Sequence, residues 1–373
     1  MGGLFSIRLY ILNGLLTMIA SQSCLPKECS FDVMNGQSVH CTGGSFSTFP
    51  DLSKCSGPIY WITLTRTSIT NLTDNSVPHR LLYLSFNDNP LTSVSDGAFD
   101  NCGRTLTALT FDGSLNGTIP NALERLTALT ILKISNQDIN DWNVPVLQKL
   151  GTHVQDLTLS SVSLSGWPDW LKHFTELNAL EINNITSPTI PDDGLLQVTS
   201  KLITLTISQH NFTEIPKAVT DLLAVKFLNL PDGKIKEIKG LPPQVEGLNL
   251  ENNLIEKVED GTFKSLGDLE TLHLDYNPLV SIAQDAFVNS SVISYLTLQA
   301  TNLARVPLAF LHMPHMMFLR MEDNAGLVCT CDEAALVPWF ENLPYMSFIG
   351  DCGVIGIRSF FTTLAKDCPK NGF

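Results

Sequence analysis

Apolar residues recur along this chain in short alternating blocks. The strings YWITLTRTSITNL, LLYLSFNDNPLTSV, VEGLNLENNLIEKV and LETLHLDYNPLVSI share the template L-x-x-L-x-L-x-x-N-x-L. Its second leucine position falls at Ile62, Leu84, Leu109, Leu132, Leu157, Leu180, Leu205, Leu228, Leu248, Leu272, Leu296 and Leu319, at intervals of 20 to 25 residues. Within each unit the x-L-x-L stretch has the period of a strand with one buried face. The remaining residues must carry the chain back so that the next strand lies parallel and adjacent. The pattern predicts an α/β solenoid of about 12 turns over 59–324, with a parallel β-sheet on its concave side.

The rest of each turn reads consistently with that plan. Ile119-Pro120, Trp167-Pro168, Ile190-Pro191, Ile215-Pro216 and Val306-Pro307 put a proline where the return path begins, a position that needs no ladder N–H. Phe99, Phe263, Phe287 and Phe310 are placed to plug the convex side of the core. Asn stands at the ninth template position in Asn89, Asn253, Asn277 and Asn324, where a buried amide can donate to and accept from backbone groups left unpaired after the strand. Thr67, Ser114, Gln137, Val162, Ile185, His210, Gly233 and Thr301 occupy it elsewhere. Val162 and Ile185 cannot hydrogen-bond, so the middle turns are expected to be less regular, and the register is weakest near Ser114 and Gly233.

The first 23 residues stand apart. Arg8 is their only charge, Leu9 to Ala20 is almost uninterruptedly apolar, and Ala20, Ser21 and Ser23 follow. This is the make-up of a secretory signal peptide, too short to span a bilayer. No later apolar run reaches spanning length, and FFTTLAKDCPKNGF lacks the apolar tail of a lipid anchor. The mature chain is expected to be secreted and extracellular. Secretion then governs the nine cysteines, because a solenoid needs closed ends and disulfides persist outside the cell. Cys24, Cys29, Cys41 and Cys55 precede the first turn in a cap over 24–58, and Cys329, Cys331, Cys352 and Cys368 follow the last in a cap over 325–373. Spacing does not choose among the pairings each cluster allows. Cys102 is register-equivalent to Cys55 but two turns away, about 10 Å at ~4.8 Å per strand, which is beyond disulfide reach. It reads as a buried free thiol, with an intermolecular bridge as the alternative. Asn71, Asn116, Asn184, Asn211 and Asn289 begin N-glycosylation sequons at loop or return-path positions.

The stretch LNLENNLIEKVEDGTFKSLGDLETLHLDYNPLVSIAQDAF resembles the repeats of extracellular leucine-rich repeat proteins. NAGLVCTCDEAALVPWF followed by Cys352 and Cys368 is similar to their C-terminal flanking cap. That resemblance implies Cys329 paired with Cys352, Cys331 paired with Cys368, and Trp339 packed inside the cap. The N-terminal cluster departs from the family in lacking a close C-x-C between Cys29 and Cys41. The family spans recognition, matrix assembly, guidance and non-catalytic subunits of secreted enzymes.

Composition narrows function further. Lys plus Arg number 23 against 37 Asp plus Glu, for a formal charge of −14 and a pI near 4.9, which excludes a basic face for nucleic acid and disfavours anionic lipid. No metalloprotease, hydrolase-elbow, phosphate-loop or calcium-loop pattern is present, so no enzyme, metal or cofactor is expected. His312 and His315 with Met313, Met316 and Met317 read as an apolar return path rather than a soft-metal site.

Function therefore falls to the strand residues flanking the second leucine, which point away from the core. Trp61, Tyr83, Lys133, Glu181, Phe227, His273, Tyr295, Phe318 and Arg320 are the contact candidates, with aromatic residues concentrated toward the two ends. Both end groups also adjoin a cap, and packing there is the competing reading. The expected role is non-catalytic binding of an extracellular protein or glycan. A broad resemblance to the repeat subunit of the decapod luciferase complex implies the alternative, a stabilising subunit of a secreted enzyme.

Overall fold

The structure, a computed structural model, describes residues 24–369 except 33–36, 45–46, 56, 165, 186 and 344–346. The expected signal peptide lies outside the described residues. The described residues fold as a leucine-rich repeat solenoid in two compact units, the first up to residue 163 with 170–177, the second 164–169 with 178 onward.

In the first unit, Cys29–Phe31 pairs antiparallel with Ser38–Thr42, which lies parallel to Trp61–Thr65. Tyr83–Asn87, Ala108–Asp112, Ile131–Ser135 and Asp156–Leu164 then add in parallel, each leucine position opposite the last. In the second unit Ala179–Ile185, Thr204–Ser208, Phe227–Asn229, Gly247–Asn249, Thr271–His273, Tyr295–Thr297, Phe318–Arg320 and Ser347–Ile349 follow one another in the same way. The second-leucine side chains are all at most 2% exposed, so each contributes the ~1.5–3 kcal/mol of a fully buried aliphatic chain. Phe99, Phe263, Phe287 and Phe310 are also fully buried, and Phe263 stacks on Phe287 at 5.6 Å. Pro120, Pro216 and Pro307 stand immediately before short return-path helices, Asn121–Arg125, Lys217–Thr220 and Leu308–His312. The fixed φ of proline starts the helical turn there without leaving an N–H unpaired.

Every turn bends through one left-handed residue just before the ninth template position. Arg66, Asp88, Gly113, Asn136, Ser161, Asn184, Gln209, Asp232, Asn252, Tyr276, Ala300 and Asp323 all have φ between 51° and 67°. Several of these side chains are poorly suited to that region, and the compensation is a backbone bond to the next turn. Arg66 N–H donates to the Asn87 carbonyl at 2.8 Å, Tyr276 N–H to Gln299 at 2.9 Å and Ala300 N–H to Glu322 at 3.0 Å. A left-handed L-residue costs about 1–2 kcal/mol, which glycine avoids at some entropic cost in the unfolded chain. Ala300→Gly is therefore expected to raise stability by ~0.5–1 kcal/mol. A denaturant midpoint that fell instead would show that the Ala300 methyl contributes packing that outweighs the strain.

The ninth position carries a polar ladder wider than asparagine alone. Asn89 Nδ2 donates to the Leu64 carbonyl at 2.8 Å, and Ser114 Oγ accepts from Asn89 N–H at 2.9 Å. Gln137 Oε1 accepts from Ser114 N–H at 3.0 Å, so register is kept at Ser114. At Val162 and Ile185, both 1% exposed, the expected irregularity takes a specific form. The left-handed bend at Ser161 and Asn184 is kept, but with no polar side chain at the ninth position strand pairing continues past the bend, to Leu164 in Asp156–Leu164 and to Ile185 in Ala179–Ile185.

Disulfides close both ends. Cys24 joins Cys55 and Cys29 joins Cys41 before the first turn; Cys329 joins Cys352 and Cys331 joins Cys368 after the last. Trp339 packs against Phe310 and Phe340, with ring centroids 5.7 and 4.9 Å away, and its indole N–H donates to the Met313 carbonyl at 3.0 Å. Cys102 is a buried free thiol, and burial pushes its pKa up to about 12.

Candidate binding surface

Strand alternation puts the flanking residues of each second leucine on one face, and the parallel register aligns them across turns. In the first unit Trp61 lies directly beside Tyr83, ring centroids 6.2 Å apart at 50°, and the Trp61 side is 53% exposed. Ile131 and Lys133 are exposed two strands further on. Ile131, in the same outward-facing column as Trp61 and Tyr83, adds an exposed apolar side chain to this face that is not among the contact candidates.

In the second unit Glu181 is exposed and Phe227 is 46% exposed. The Phe227 ring lies over Gly247, where a Cβ would come within 3.0 Å of its Cδ1, so the small residue at Gly247 is what lets the ring lie flat along the sheet. His273, Tyr295 and Phe318 occupy three successive strands. His273 and Tyr295 are 5.4 Å apart and tilted, while Tyr295 and Phe318 stack at 4.4 Å and 11°. Their ring partners are one another. Arg320 Nε donates to Glu322 Oε1 at 2.6 Å, which draws the guanidinium along the sheet and raises its already high pKa.

A polar network beside the stack sets its hydrogen-bonding character. Thr297 hydroxyl donates to Asp275, and Asp275 also accepts the Gln299 N–H. The Thr297 oxygen, its proton committed, accepts from His273 Nδ1 at 3.0 Å, which leaves the lone pair of the neutral ring on Nε2. Burial holds the His273 pKa below its usual range, with Asp275 opposing. Burial, then repulsion from Asp275 and Asp232, raises the Glu251 carboxyl. The surface is thus an aromatic row with one imidazole acceptor, one guanidinium and a flanking carboxylate edge. Asp275 and Glu251 lie at the seventh template position, outside the two columns that flank the second leucine.

The sequon asparagines occupy varied positions. Asn71 lies in the return-path strand Asn71–Leu72 and accepts from Ser93 Oγ at 2.6 Å. Asn116 and Asn289 are exposed, Asn211 is half-buried, and Asn184 is exposed near the end of the strand Ala179–Ile185 rather than in a loop.

Known proteins share this organisation. Residues 243–303 match the leucine rich repeat family. The chain is 29% identical over 228 residues to Podocan of Mus musculus, covering 54% of this chain and 36% of that one. It is 27% identical over 246 residues to Osteomodulin of Rattus norvegicus, covering 58% and 56%. These relatives are extracellular leucine-rich repeat proteins, and the chain spans only about a third to somewhat over half of their length. Among solved structures, an internalin from Listeria monocytogenes superposes with a TM-score of 0.54 at 15% identity, covering 84% of this chain and 82% of that one, a likeness of fold alone. Turns in register within each unit and ends closed by disulfides give the chain the leucine-rich repeat fold with cysteine-rich flanking caps, built on the same repeat as these relatives.

Proposed function

We propose that this protein is secreted and acts as a non-catalytic binding protein, recognising an extracellular protein or glycan through the strand face of its second unit. The observation that carries this reading is the row His273, Tyr295 and Phe318 with Arg320 beside it. Rigid aromatic side chains and a guanidinium aligned on a sheet supply contact area at little entropic cost, as binding hot spots require. The extracellular relatives and the four disulfides support the location. Among the described residues no helix is long and apolar enough to cross a membrane.

The test is affinity capture with the full chain as bait, followed by binding measurements on the captured partner. Tyr295→Ala and Arg320→Ala are expected to weaken binding by about 2 kcal/mol each while melting changes little. Lys264→Glu, on the exposed return path, should leave binding intact. Lowered secretion and melting for Tyr295→Ala with unchanged affinity would assign the row to packing at the cap. Sensitivity at Lys264 without sensitivity at Tyr295 would move the ligand off the strand face.

A further inference from the structure

A cavity of about 900 Å³ lies away from the strand face, between the N-terminal cap and the first return path. Its apolar walls are Phe49, Pro50, Leu52, Pro58, Ile59 and Tyr60, and Thr48, Ser53 and Thr73 add hydroxyl groups to the lining. The volume falls in the range of small-molecule sites, and mostly apolar walls with a few polar groups are their usual lining. Phe49, Pro50 and Leu52 are buried, so the floor is held by the cap, whose Cys24–Cys55 bridge encloses that segment.

The polar groups are asymmetric. His79 and Arg80 line the cavity and are both exposed, and neither has a hydrogen-bond or ion-pair partner among the described residues. Arg80 is held at φ 61°, a left-handed position that fixes where its side chain departs. Asp51, the acidic residue of the lining, is held by the Ser53 side chain and by Ser53 N–H at 2.9 Å, which lowers its carboxyl pKa and turns it to its own loop. Ser76 Oγ, also in the lining, is buried without a partner. In a chain of charge −14, an apolar cavity with an unpaired guanidinium and imidazole at its rim selects an unusual ligand. The body must be apolar, and the charged end must be an anion that those two groups can meet.

We propose that this cavity binds an anionic amphiphile of the long-chain carboxylate class, with the acyl chain against Phe49, Leu52 and Ile59 and the carboxylate at Arg80 and His79. The site is independent of the strand face.

The probe is trans-parinaric acid, a long-chain carboxylate whose fluorescence rises in apolar surroundings, titrated into the full disulfide-bonded chain. One saturable site per chain is expected. Its methyl ester, with the charge removed, should bind more weakly. Arg80→Gln should weaken the acid about three- to fivefold, the scale of one exposed ion pair, and leave the ester unchanged. Pro58→Trp, which fills the cavity from an exposed wall, should weaken both by about tenfold or more. A diazirine-bearing fatty acid gives a readout that needs no substitution, and its label should map to 48–60 and 73–80. Absence of saturable binding, equal affinity of acid and ester, indifference to Pro58→Trp, or label mapping elsewhere would each overturn the proposal.

Discussion

Replacing Asn277 by Ala is expected to destabilise the chain by ~3–5 kcal/mol. Asn277 is 1% exposed and makes four hydrogen bonds. Its Oδ1 accepts from Ile255 N–H at 3.0 Å, and its Nδ2 donates to the carbonyls of Leu250 at 2.9 Å, Leu274 at 3.1 Å and Asp275 at 3.2 Å. Alanine would leave Ile255 N–H and the Leu274 carbonyl without these partners, each worth about 1–3 kcal/mol before relaxation, and would take one bond each from the Leu250 and Asp275 carbonyls, which keep Asn253 Nδ2 and Asn252 N–H. Water cannot replace the amide cheaply, since Leu274 and Leu279 around it are fully buried. Asn277→Asp should be no better, because it loses both donors and buries a charge. Repeat proteins couple mainly to nearest neighbours, so hydrogen exchange should quicken first at Leu250 to Ile255 and at the turn of Asn277 itself. A loss below about 1 kcal/mol in denaturant would mean that the ladder bonds are replaceable there, and would reduce the asparagines to a mark of register.

The leucine columns were legible because a strand tolerates one face only, and a period kept over twelve turns cannot be matched by another element. The ladder was legible only in part. Asn announces its role, but Ser114, Gln137 and Thr301 do the same work by reaching a neighbouring turn, and reach depends on coordinates. The left-handed column was invisible, since Arg66, Tyr276 and Ala300 carry no preference for positive φ and are held there by bonds between turns. The N-terminal pairing was undetermined by spacing alone. Register supplies the missing fact, because the antiparallel pair Cys29–Phe31 and Ser38–Thr42 sets Cys29 directly across from Cys41. At the candidate surface, alternation named the two columns, while the Asp275–Thr297–His273 network that fixes the imidazole tautomer joins two adjacent turns and had no signal in the sequence.

Gly233→Ala is expected to cost ~3–5 kcal/mol at a position where the template itself breaks down. Gly233 stands where other turns place Asn or a substitute, and the preceding turn fills the gap. The His210 ring, 3% exposed and stacked on Phe212 at 4.5 Å, meets the Leu230 carbonyl through Nε2 at 3.2 Å. Its Nδ1 accepts from Phe212 N–H at 3.2 Å, so the ring is neutral with the proton on Nε2. A Cβ on Gly233 would lie 1.9 Å from His210 Cε1 and 2.4 Å from Nε2, which forces the ring out, opens its place in the core and strands Phe212 N–H, while the Leu230 carbonyl keeps only its bond from Asn253 Nδ2. The two residues form one unit, and a double-mutant cycle shows it: in a His210→Ala background, Gly233→Ala should cost almost nothing further. The same arrangement predicts a pH dependence. Burial lowers the His210 pKa, and the Leu230 carbonyl and Asp232 oppose this without outweighing it. A folded-state pKa below the unfolded value of about 6.5 means that the unfolded chain takes up more protons on acidification. The contribution of His210 is therefore complete above about pH 6.5 and is lost as pH falls from there through the folded-state pKa. Stability measured across that window should fall in the wild type and fall less in His210→Ala. Equal slopes, or a Gly233→Ala protein that melts like the wild type, would show that the imidazole does not occupy the ladder position at Gly233.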